Sequence, residues 1–334
     1  MRSFKDIVGQ DSIKAYFQNV IAKDSVSHAY LLQGEQSSGK EFVSRIVAMT
    51  LQCTERQLID GVIQPCGSCR SCMQTMTMNQ PDIIYVTHEK PNSIGVEEIR
   101  SQITDDIFVK PYSSNYKIYI INEADKMTPQ AQNAILKTLE EPPSYAIIIL
   151  LVTNMQSLLE TILSRCVTLH MQPVKEAELR KYLLQEVQIP DYKVNLCIAF
   201  ARGNLGKAKQ LATTSDFDEV RTEAILLLKH IKEMELSELI AAIKKMKDFQ
   251  IDTYDYLDLM AIWYRDVLLF KATNDINHLI FKDEIHTIKQ IASTSEYGGL
   301  ECILDAIEVA KSRLRANVNF ELAVELLMLT MREN

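Results

Sequence analysis

Helix-breaking residues are placed so unevenly that they divide the chain into two parts of different fold class. All nine prolines lie at or before Pro190, and beyond Gly206 the only glycines are Gly298 and Gly299. Because proline and glycine destabilise helix interiors, a long stretch almost without them favours long helices. The C-terminal part therefore predicts an all-helical domain, with amphipathic helices at 220–233, 236–247, 254–272, 284–293, 299–316 and 320–331.

The N-terminal part shows the opposite pattern, in which short apolar runs alternate with helical periodicity. The apolar runs lie at 29–33, 82–86, 117–122, 146–152 and 166–170, and the helical patterns at 10–22, 40–52, 96–107, 129–141 and 156–163. Strands that alternate with helices are typical of βαβ units and a buried parallel sheet. We therefore predict an α/β domain at 1–172, a small helical module at 173–212 with helices at 176–186 and 192–201, and a helical domain at 213–334.

Charge and hydropathy exclude several classes of protein. The chain carries 36 basic and 44 acidic side chains, a formal net charge of −8, and such an acidic balance argues against a free-standing nucleic-acid binder. It leaves open a subunit that makes a few phosphate contacts inside a larger complex. No apolar stretch is long enough for a transmembrane helix, and the first residues have no apolar signal region. We expect a cytoplasmic protein in a reducing compartment, without a membrane partner.

A phosphate-binding loop follows the first apolar run. Gly34, Gly39 and Lys40 stand in the G-x-x-x-x-G-K frame of a Walker A loop, between a predicted strand and a predicted helix. The glycines let backbone N–H groups face a phosphate, and the lysine can reach an outer phosphate. The strand-to-helix context disfavours a chance match.

Two magnesium contacts of a working loop are lost. Glu41 stands where a Ser or Thr hydroxyl binds the magnesium of Mg·ATP, and Asn122 stands where the Walker B strand ends in an aspartate. Glu123 keeps the position of the acid that orients the attacking water. We therefore expect no magnesium binding and no intrinsic ATPase activity, whereas the sequence leaves nucleotide binding without magnesium open.

Four cysteines have the spacing of a metal site. Cys53, Cys66, Cys69 and Cys72 form the pattern C-x12-C-x2-C-x2-C, and four thiolates complete a closed tetrahedral zinc site that is structural. An iron–sulfur cluster is the main alternative, although the fourth spacing does not fit it. Disulfides are disfavoured in a reducing compartment.

Several ordered motifs resemble the AAA+ clamp-loader family of bacterial DNA replication. They lie at 4–10, 27–30, 131–143 and 161–166, and near the C-terminus at Asn317, Asn319, Leu322 and Glu325. The resemblance implies an AAA+ nucleotide-binding-like domain with a zinc insertion at about 53–72, followed by a small helical lid and a helical collar domain that joins subunits. It also implies a place in the clamp loader of the replicative DNA polymerase.

The resemblance gives one arginine a role in trans. Within Ser164-Arg165-Cys166, it implies that Arg165 is an arginine finger, which acts in the ATP site of a neighbouring motor subunit. A helix-terminal arginine in a surface ion pair is the simpler alternative. Gly206 stands where a motor subunit of the family carries a sensor-2 arginine, which again favours a subunit without hydrolysis.

The implied partners are the motor subunits and a clamp-opening delta-type subunit, with the sliding clamp and primer–template DNA as transient partners. Two other functions remain open. One is an active motor subunit of the gamma/tau type, and the other is a zinc-containing DNA-binding regulator with a relic phosphate-loop fold. A single-turnover ATPase assay would test the first, and salt-sensitive DNA binding by the isolated chain would test the second.

Overall fold

The computed structural model describes residues 3–214, 216–248, 253–316 and 318–334. The chain forms two compact units. The first comprises the residues up to Glu178 together with Gly203–Gly206, and the second comprises Leu179–Arg202 and the residues from Lys207 onward. The division into three domains stays a prediction.

The strands of the first unit form a parallel sheet and a separate hairpin. They are β1 (Ala29–Gln33), β2 (Gln57–Ile59), β3 (Val62–Gln64), β4 (Ile83–Val86), β5 (Lys117–Ile121), β6 (Ala146–Val152) and β7 (Val167–His170). The sheet has the order β4-β5-β6-β1-β7, and each of its pairings is parallel. The hairpin pairs β2 with β3. The predicted α/β class with a parallel sheet is confirmed.

The central strand β6 explains why the sheet is so apolar. Ile147, Ile149 and Leu151 belong to the core on one face of the sheet, whereas Ile148 and Leu150 belong to the core on the other. All seven residues of the strand are buried. A strand that is covered on both faces must be apolar at every position, which is why its sequence is one continuous run rather than an alternation.

The helices of the first unit lie between the strands. They are α1 (Asp11–Ala22), α2 (Lys40–Gln52), α3 (Arg70–Met76), α4 (Val96–Ile99), α5 (Pro129–Glu140) and α6 (Glu160–Leu163), with short 3₁₀ turns at Phe4–Asp6, Ala124–Lys126 and Met155–Ser157. The bounds of α1, α2 and α5 agree with the sequence prediction to within a residue. The hairpin and α3, which lie inside the cysteine-rich segment, have no counterpart in that prediction.

The prediction of one α-helix over 96–107 is wrong. After the four residues of α4 the chain continues as a π-helical turn, Arg100–Thr104, in which the Asp105 N–H donates to the Arg100 carbonyl. Ile99, Ile103 and Ile107 are all fully buried. The wider turn keeps these three side chains, spaced four residues apart, on the core side.

The prediction of one helix over 156–163 is also wrong. Leu158 and Leu159 are extended, and they separate a 3₁₀ turn from α6. The cause is the buried side chain of Gln132, whose Nε2 donates to the Ser157 carbonyl and whose Oε1 accepts from the Leu159 N–H. A side chain that takes both backbone groups leaves them unavailable for a continuous helix.

The described part of the second unit is helical, as predicted. Its elements are α7 (Glu176–Tyr182), a π-helical turn (Leu183–Val187), α8 (Asp191–Ala201), α9 (Leu205–Thr213), α10 (Asp216–His230), α11 (Leu236–Asp248), α12 (Thr253–Thr273), a 3₁₀ turn (Lys282–Glu284), α13 (Ile285–Thr294), α14 (Tyr297–Arg315) and α15 (Phe320–Glu333). The first residues of α7 and α9 belong to the first unit. The π-helical turn corrects the single helix predicted over 176–186.

Two side chains show how the second unit is held together. Trp263 on the long helix α12 is fully buried, and its ring centroid lies 5.4 Å from that of Phe281. At the start of α15, the side chain of Asn319 accepts from the Leu322 N–H and caps the helix. Asn317, the other asparagine of this motif, lies outside the described residues.

Candidate nucleotide site, arginine finger and metal cluster

The phosphate loop connects β1 to α2, as its sequence predicts. We use this name for residues Gly34–Gly39. Gly39 directly precedes α2 and has φ +94°, a left-handed conformation that glycine adopts without strain, and Ser37 has φ +61°. The loop therefore has the strand–turn–helix setting of a Walker A loop.

Lys40 donates its hydrogen bonds to the loop itself. Its buried ammonium lies 2.5 Å from the Gly34 carbonyl, 2.9 Å from the Glu35 carbonyl and 3.2 Å from the Thr153 hydroxyl. An ammonium group has three N–H donors, so these contacts use its full capacity. Burial lowers the pKa of Lys40, against the opposing effect of nearby carboxylates. The lysine is therefore engaged with the protein where a working loop directs it at a phosphate.

The segment Gly203–Gly206 packs against the same loop. The Gly206 N–H donates to the Ser37 carbonyl at 3.1 Å, and the Asn204 amide donates to the Gln36 carbonyl at 2.8 Å. A Cβ atom at Gly206 would lie only 2.1 Å from the Ser37 carbonyl oxygen. No side chain, arginine included, fits at position 206 while the loop has this conformation.

The acidic residues around the loop are also paired within the chain. Glu41 forms an ion pair with Arg45 at 2.6 Å, and Glu123 forms one with Lys126 at 2.7 Å. The Asn122 side-chain oxygen accepts from the Glu123 N–H at 3.1 Å. A cavity of about 500 Å³ remains beside the loop. Lys40, Glu41, Asn122, Glu123 and Gly206 all line this cavity, so the structure brings the sequence-predicted residues together.

Arg165 lies between α6 and β7, and its side chain is 34% exposed. Its Nη2 is 2.7 Å from a carboxylate oxygen of Glu140 at the end of α5. Its Nη1 donates to the Thr161 carbonyl at 2.8 Å and to the Ser164 hydroxyl at 3.3 Å. The guanidinium is thus partly accessible and held by three oxygen atoms.

Cys166 has the properties of a packing residue rather than of a nucleophile. Burial raises the pKa of its thiol to about 12, so the thiol is protonated at neutral pH. Only the thiolate is strongly nucleophilic. The residue packs against the core that includes β6.

The four cysteines that the spacing singled out lie together. All seven cysteines of the chain are free thiols, and the Sγ atoms of Cys53, Cys66, Cys69 and Cys72 lie within 4.8 Å of one another. Tetrahedral zinc with Zn–S bonds of about 2.3 Å would require sulfur–sulfur distances of about 3.8 Å. The observed sulfur–sulfur distances, up to 4.8 Å, are close to that requirement, so the residues fit a four-thiolate zinc site.

Backbone N–H groups surround the same sulfur atoms. The N–H of Cys66 faces the sulfur of Cys53, that of Cys69 faces Cys66, and that of Cys72 faces Cys69, at 3.3 to 3.5 Å. Burial on its own would raise the pKa of the Cys69 thiol, but backbone donors from Cys72 and Thr54 outweigh it and lower that pKa to about 6. At Cys69 these donors favour the thiolate form, which is the form that binds metal. Burial instead raises the pKa of the Cys53 and Cys72 thiols.

Comparisons with known proteins identify the family of this chain. The family described as "DNA polymerase III, delta subunit" matches residues 9–175, and the family of its C-terminal region matches residues 215–333. DNA polymerase III subunit delta' of Bacillus subtilis is 31% identical over 97% of this chain and 96% of its own length. The chain belongs to the delta-prime family of DNA polymerase III clamp-loader subunits.

Other clamp-loader subunits are similar over much of the chain. Subunit tau of B. subtilis is 26% identical over 96% of this chain and 60% of its own length. A solved gamma subunit-related protein from Thermotoga maritima is 21% identical, with a TM-score of 0.45, and the match covers 97% of this chain and 99% of the other. The expected clamp-loader family is confirmed by the two family models and the delta' relative, and the expected parallel sheet followed by a helical region is observed. Among the described residues, no helix is both long and apolar enough to cross a membrane.

Four contact residues of this delta-prime-like chain were missed by sequence reasoning. Thr153 accepts a hydrogen bond from Lys40, and Asn204 donates one to the phosphate loop. Lys126 forms an ion pair with Glu123, and Glu140 forms one with Arg165. Glu140 lies inside the motif at 131–143, so its position was visible but its contact was not. Asn204 lies in the sensor-2 segment that also holds Gly206, so its position was visible too. Thr153 and Lys126 carried no separate signal, because their partners lie on a distant segment or in a short turn.

Proposed function

We propose that this chain is a non-hydrolysing subunit of the clamp loader that donates Arg165 to the ATP site of a neighbouring motor subunit. The observation that carries the first half is the internal bonding of the phosphate loop. Lys40 donates to two loop carbonyls and to Thr153, and the Gly206 N–H donates to the Ser37 carbonyl. A loop with these bonds does not direct its lysine at a phosphate.

The residues on the magnesium side support the same proposal. Glu41 replaces a hydroxyl ligand with a carboxylate that is already paired with Arg45, and Asn122 replaces the Walker B aspartate. Glu123, which would orient the attacking water, is paired with Lys126. Mg·ATP needs hydroxyl and carboxylate ligands that are available to the ion. An active gamma/tau-like motor is therefore the weaker alternative.

Arg165 supports the second half of the proposal. Its guanidinium is partly exposed, and its planar group of N–H donors matches the oxygen atoms of a phosphate. An arginine placed against a transferring phosphoryl group stabilises the charge of the transition state, and such a finger contributes about 10³–10⁵ in rate. Ser164 and Thr161 bond to the guanidinium from its own helix and would orient it.

We assign the cysteine cluster a structural role. Cys53, Cys66, Cys69 and Cys72 would hold zinc with four thiolates, which leaves no coordination position for water or substrate. This site would stabilise the segment between α2 and α3 and take no part in hydrolysis. The acidic net charge weakens the alternative of a zinc-containing DNA-binding regulator.

The proposed partners follow from the family. The similar proteins are subunits delta', tau and gamma of DNA polymerase III, so we propose that this chain assembles with motor subunits of the gamma/tau type and with a delta-type subunit. The sliding clamp and primer–template DNA would be transient partners of that complex.

The deciding experiment is ATP hydrolysis by the reconstituted complex. Arg165→Ala should slow the ATP site that it faces by about 10³-fold or more, because the developing phosphoryl charge loses its arginine. In a single-turnover assay with clamp and primed DNA, the amplitude of the fast phase of phosphate release should fall by the contribution of the one ATP site that Arg165 faces. The isolated chain should hydrolyse no Mg·ATP in the same assay.

Arg180→Ala is the matched control. The Arg180 side chain is 44% exposed, lies 4.0 Å from a carboxylate oxygen of Asp191 and donates to the Asn195 side chain, so like Arg165 it is a partly exposed arginine with partners within the chain. This variant should keep the full fast phase. A normal fast phase from the Arg165→Ala complex would overturn the finger assignment, and turnover by the isolated chain would overturn the non-hydrolysing role.

A further inference from the structure

The contacts of Arg165 come from two different elements. Thr161 and Ser164 belong to the turn of chain that carries the arginine, and their oxygen atoms contact Nη1. Glu140 belongs to the end of α5, and its carboxylate contacts Nη2 at 2.7 Å. Among the described residues that bond to this guanidinium, Glu140 alone is charged.

The two kinds of contact have different consequences for a finger. Neutral oxygen atoms on the same turn orient the guanidinium and leave its charge intact. A carboxylate at 2.7 Å compensates the charge and occupies a donor that a phosphate would use. Glu140 and an incoming phosphoryl group are therefore competitors for Arg165.

A phosphate can displace the Glu140 carboxylate from Arg165. The side chains of Arg165 and Glu140 are 34% and 48% exposed, so water screens their ion pair. Exposed pairs of this kind contribute little free energy. A phosphoryl group with its multiple negative charges offers the guanidinium a stronger, bidentate partner.

We infer that Glu140 is a positioning residue that holds Arg165 by its Nη2 until the phosphate of a neighbouring subunit replaces it. The inference rests on the proposed finger function. In the isolated subunit the pair keeps the guanidinium ordered and its charge compensated. In the assembled complex the exchange of one carboxylate for one phosphate sets how readily the finger engages.

The test removes the carboxylate and keeps its shape. In the reconstituted complex, Glu140→Gln should raise kcat/KM for ATP by about two- to fivefold, the range that loss of an exposed ion pair allows. Glu140→Ala should change kcat/KM in the same direction. Glu141→Gln is the matched control, since it neutralises the adjacent exposed glutamate, for which the described residues provide no ion pair.

A double variant separates positioning from a merely structural effect. If Glu140 acts through Arg165, Glu140→Gln should have no effect in a chain that already carries Arg165→Ala. Thermal unfolding of each isolated variant would check that the fold is intact. An effect that persists without Arg165, a decrease in kcat/KM, or identical values for the Glu140 and Glu141 variants would overturn the inference.

The same set of variants distinguishes the two proposals. If Arg165→Ala leaves hydrolysis unchanged, the finger function itself fails, whatever Glu140 does. If Arg165→Ala removes the fast phase but Glu140→Gln leaves kcat/KM unchanged, the finger function stands and only the role of Glu140 fails.

Discussion

The phosphate loop and the Arg165 turn lie in the same unit, yet they use their charged groups in opposite ways. At the loop, the ammonium of Lys40 is buried and bonded to three oxygen atoms of the protein. At the turn, the guanidinium of Arg165 is 34% exposed, and its one charged partner among the described residues is half-exposed too. The first group is therefore bonded within the fold, whereas the second, under our inference, exchanges its partner.

Under the proposed function, this difference shows how a nucleotide-binding fold would lose ATP hydrolysis and keep an arginine finger. Buried hydrogen bonds are costly to break without replacement, so a phosphate would have to replace the bonds that Lys40 makes to its own chain. A screened surface pair is weak, so it can yield to a better partner. The variants that follow test how firmly these contacts hold the phosphate loop in its conformation.

The largest effect is expected at the four-cysteine cluster, the proposed zinc site, which lies at the far end of the helix that follows the loop. Helix α2 begins at Lys40 and is followed directly by Cys53. Cys72→Ser removes a fully buried thiol of that proposed site and should lower the free energy of unfolding by about 4 kcal/mol or more, as loss of a metal site can. Metal content by mass spectrometry and thermal unfolding would measure it.

Cys302→Ser is the control for that variant, because Cys302 is exposed and lies outside the cluster. It should keep both the metal and the unfolding temperature. A Cys72→Ser chain that unfolds at the same temperature as the parent would show that the cluster does not support α2 and the loop.

A smaller effect is expected where the segment Gly203–Gly206 meets the loop. Gly206→Ala places a Cβ atom 2.1 Å from the Ser37 carbonyl oxygen, and the backbone must move. Overpacking of this kind costs about 1–3 kcal/mol. Denaturant unfolding would measure the loss, and hydrogen exchange at the Gly206 amide should become faster.

Gly298→Ala should have the opposite effect on the free energy of unfolding. In the described part of the chain, a Cβ atom at Gly298 would meet no heavy atom within 4 Å, and the residue lies in helix α14. Alanine is favoured over glycine in a helix by about 1 kcal/mol, so this variant should be slightly more stable. Equal stability of the two variants would contradict the close packing of Gly206 on the loop.

The smallest effect is a pH dependence that arises from Lys40. Burial lowers its pKa in the folded protein below the ordinary value of 10.5. The folded chain therefore releases this proton before the unfolded chain does, and stability should rise as pH increases from the folded-state pKa to 10.5. The gain should be smaller than the loss from Gly206→Ala.

Lys40→Met isolates this contribution, because methionine has similar length and does not titrate. The difference in unfolding free energy between the parent and this variant should grow in favour of the parent as pH rises through that interval. If the difference in unfolding free energy does not depend on pH, Lys40 is as well solvated as a surface lysine. The loop would then not hold Lys40 in the buried contacts that we describe.

Patterns that depend on local sequence were the most predictable. The run 146–152 and the helix at 40–52 have the predicted bounds, because a doubly buried strand and a helix after a phosphate loop leave strong periodic signals. The helix over 156–163 failed because Gln132, more than twenty residues earlier, takes two of its backbone groups. Such long-range bonds leave no periodic signal.

The sequence by itself determined which residue types stand at each motif: a phosphate-loop frame without its hydroxyl, an arginine in a Ser-Arg-Cys motif, and four cysteines with metal-ligand spacing. Only the tertiary structure decided what those residues contact. It bonded Lys40 to the loop, brought Gly206 against Ser37, and placed Glu140 on Arg165. The physical reason is that spacing along a chain fixes the local backbone, whereas the pairing of buried and charged groups depends on which distant segments the core brings together.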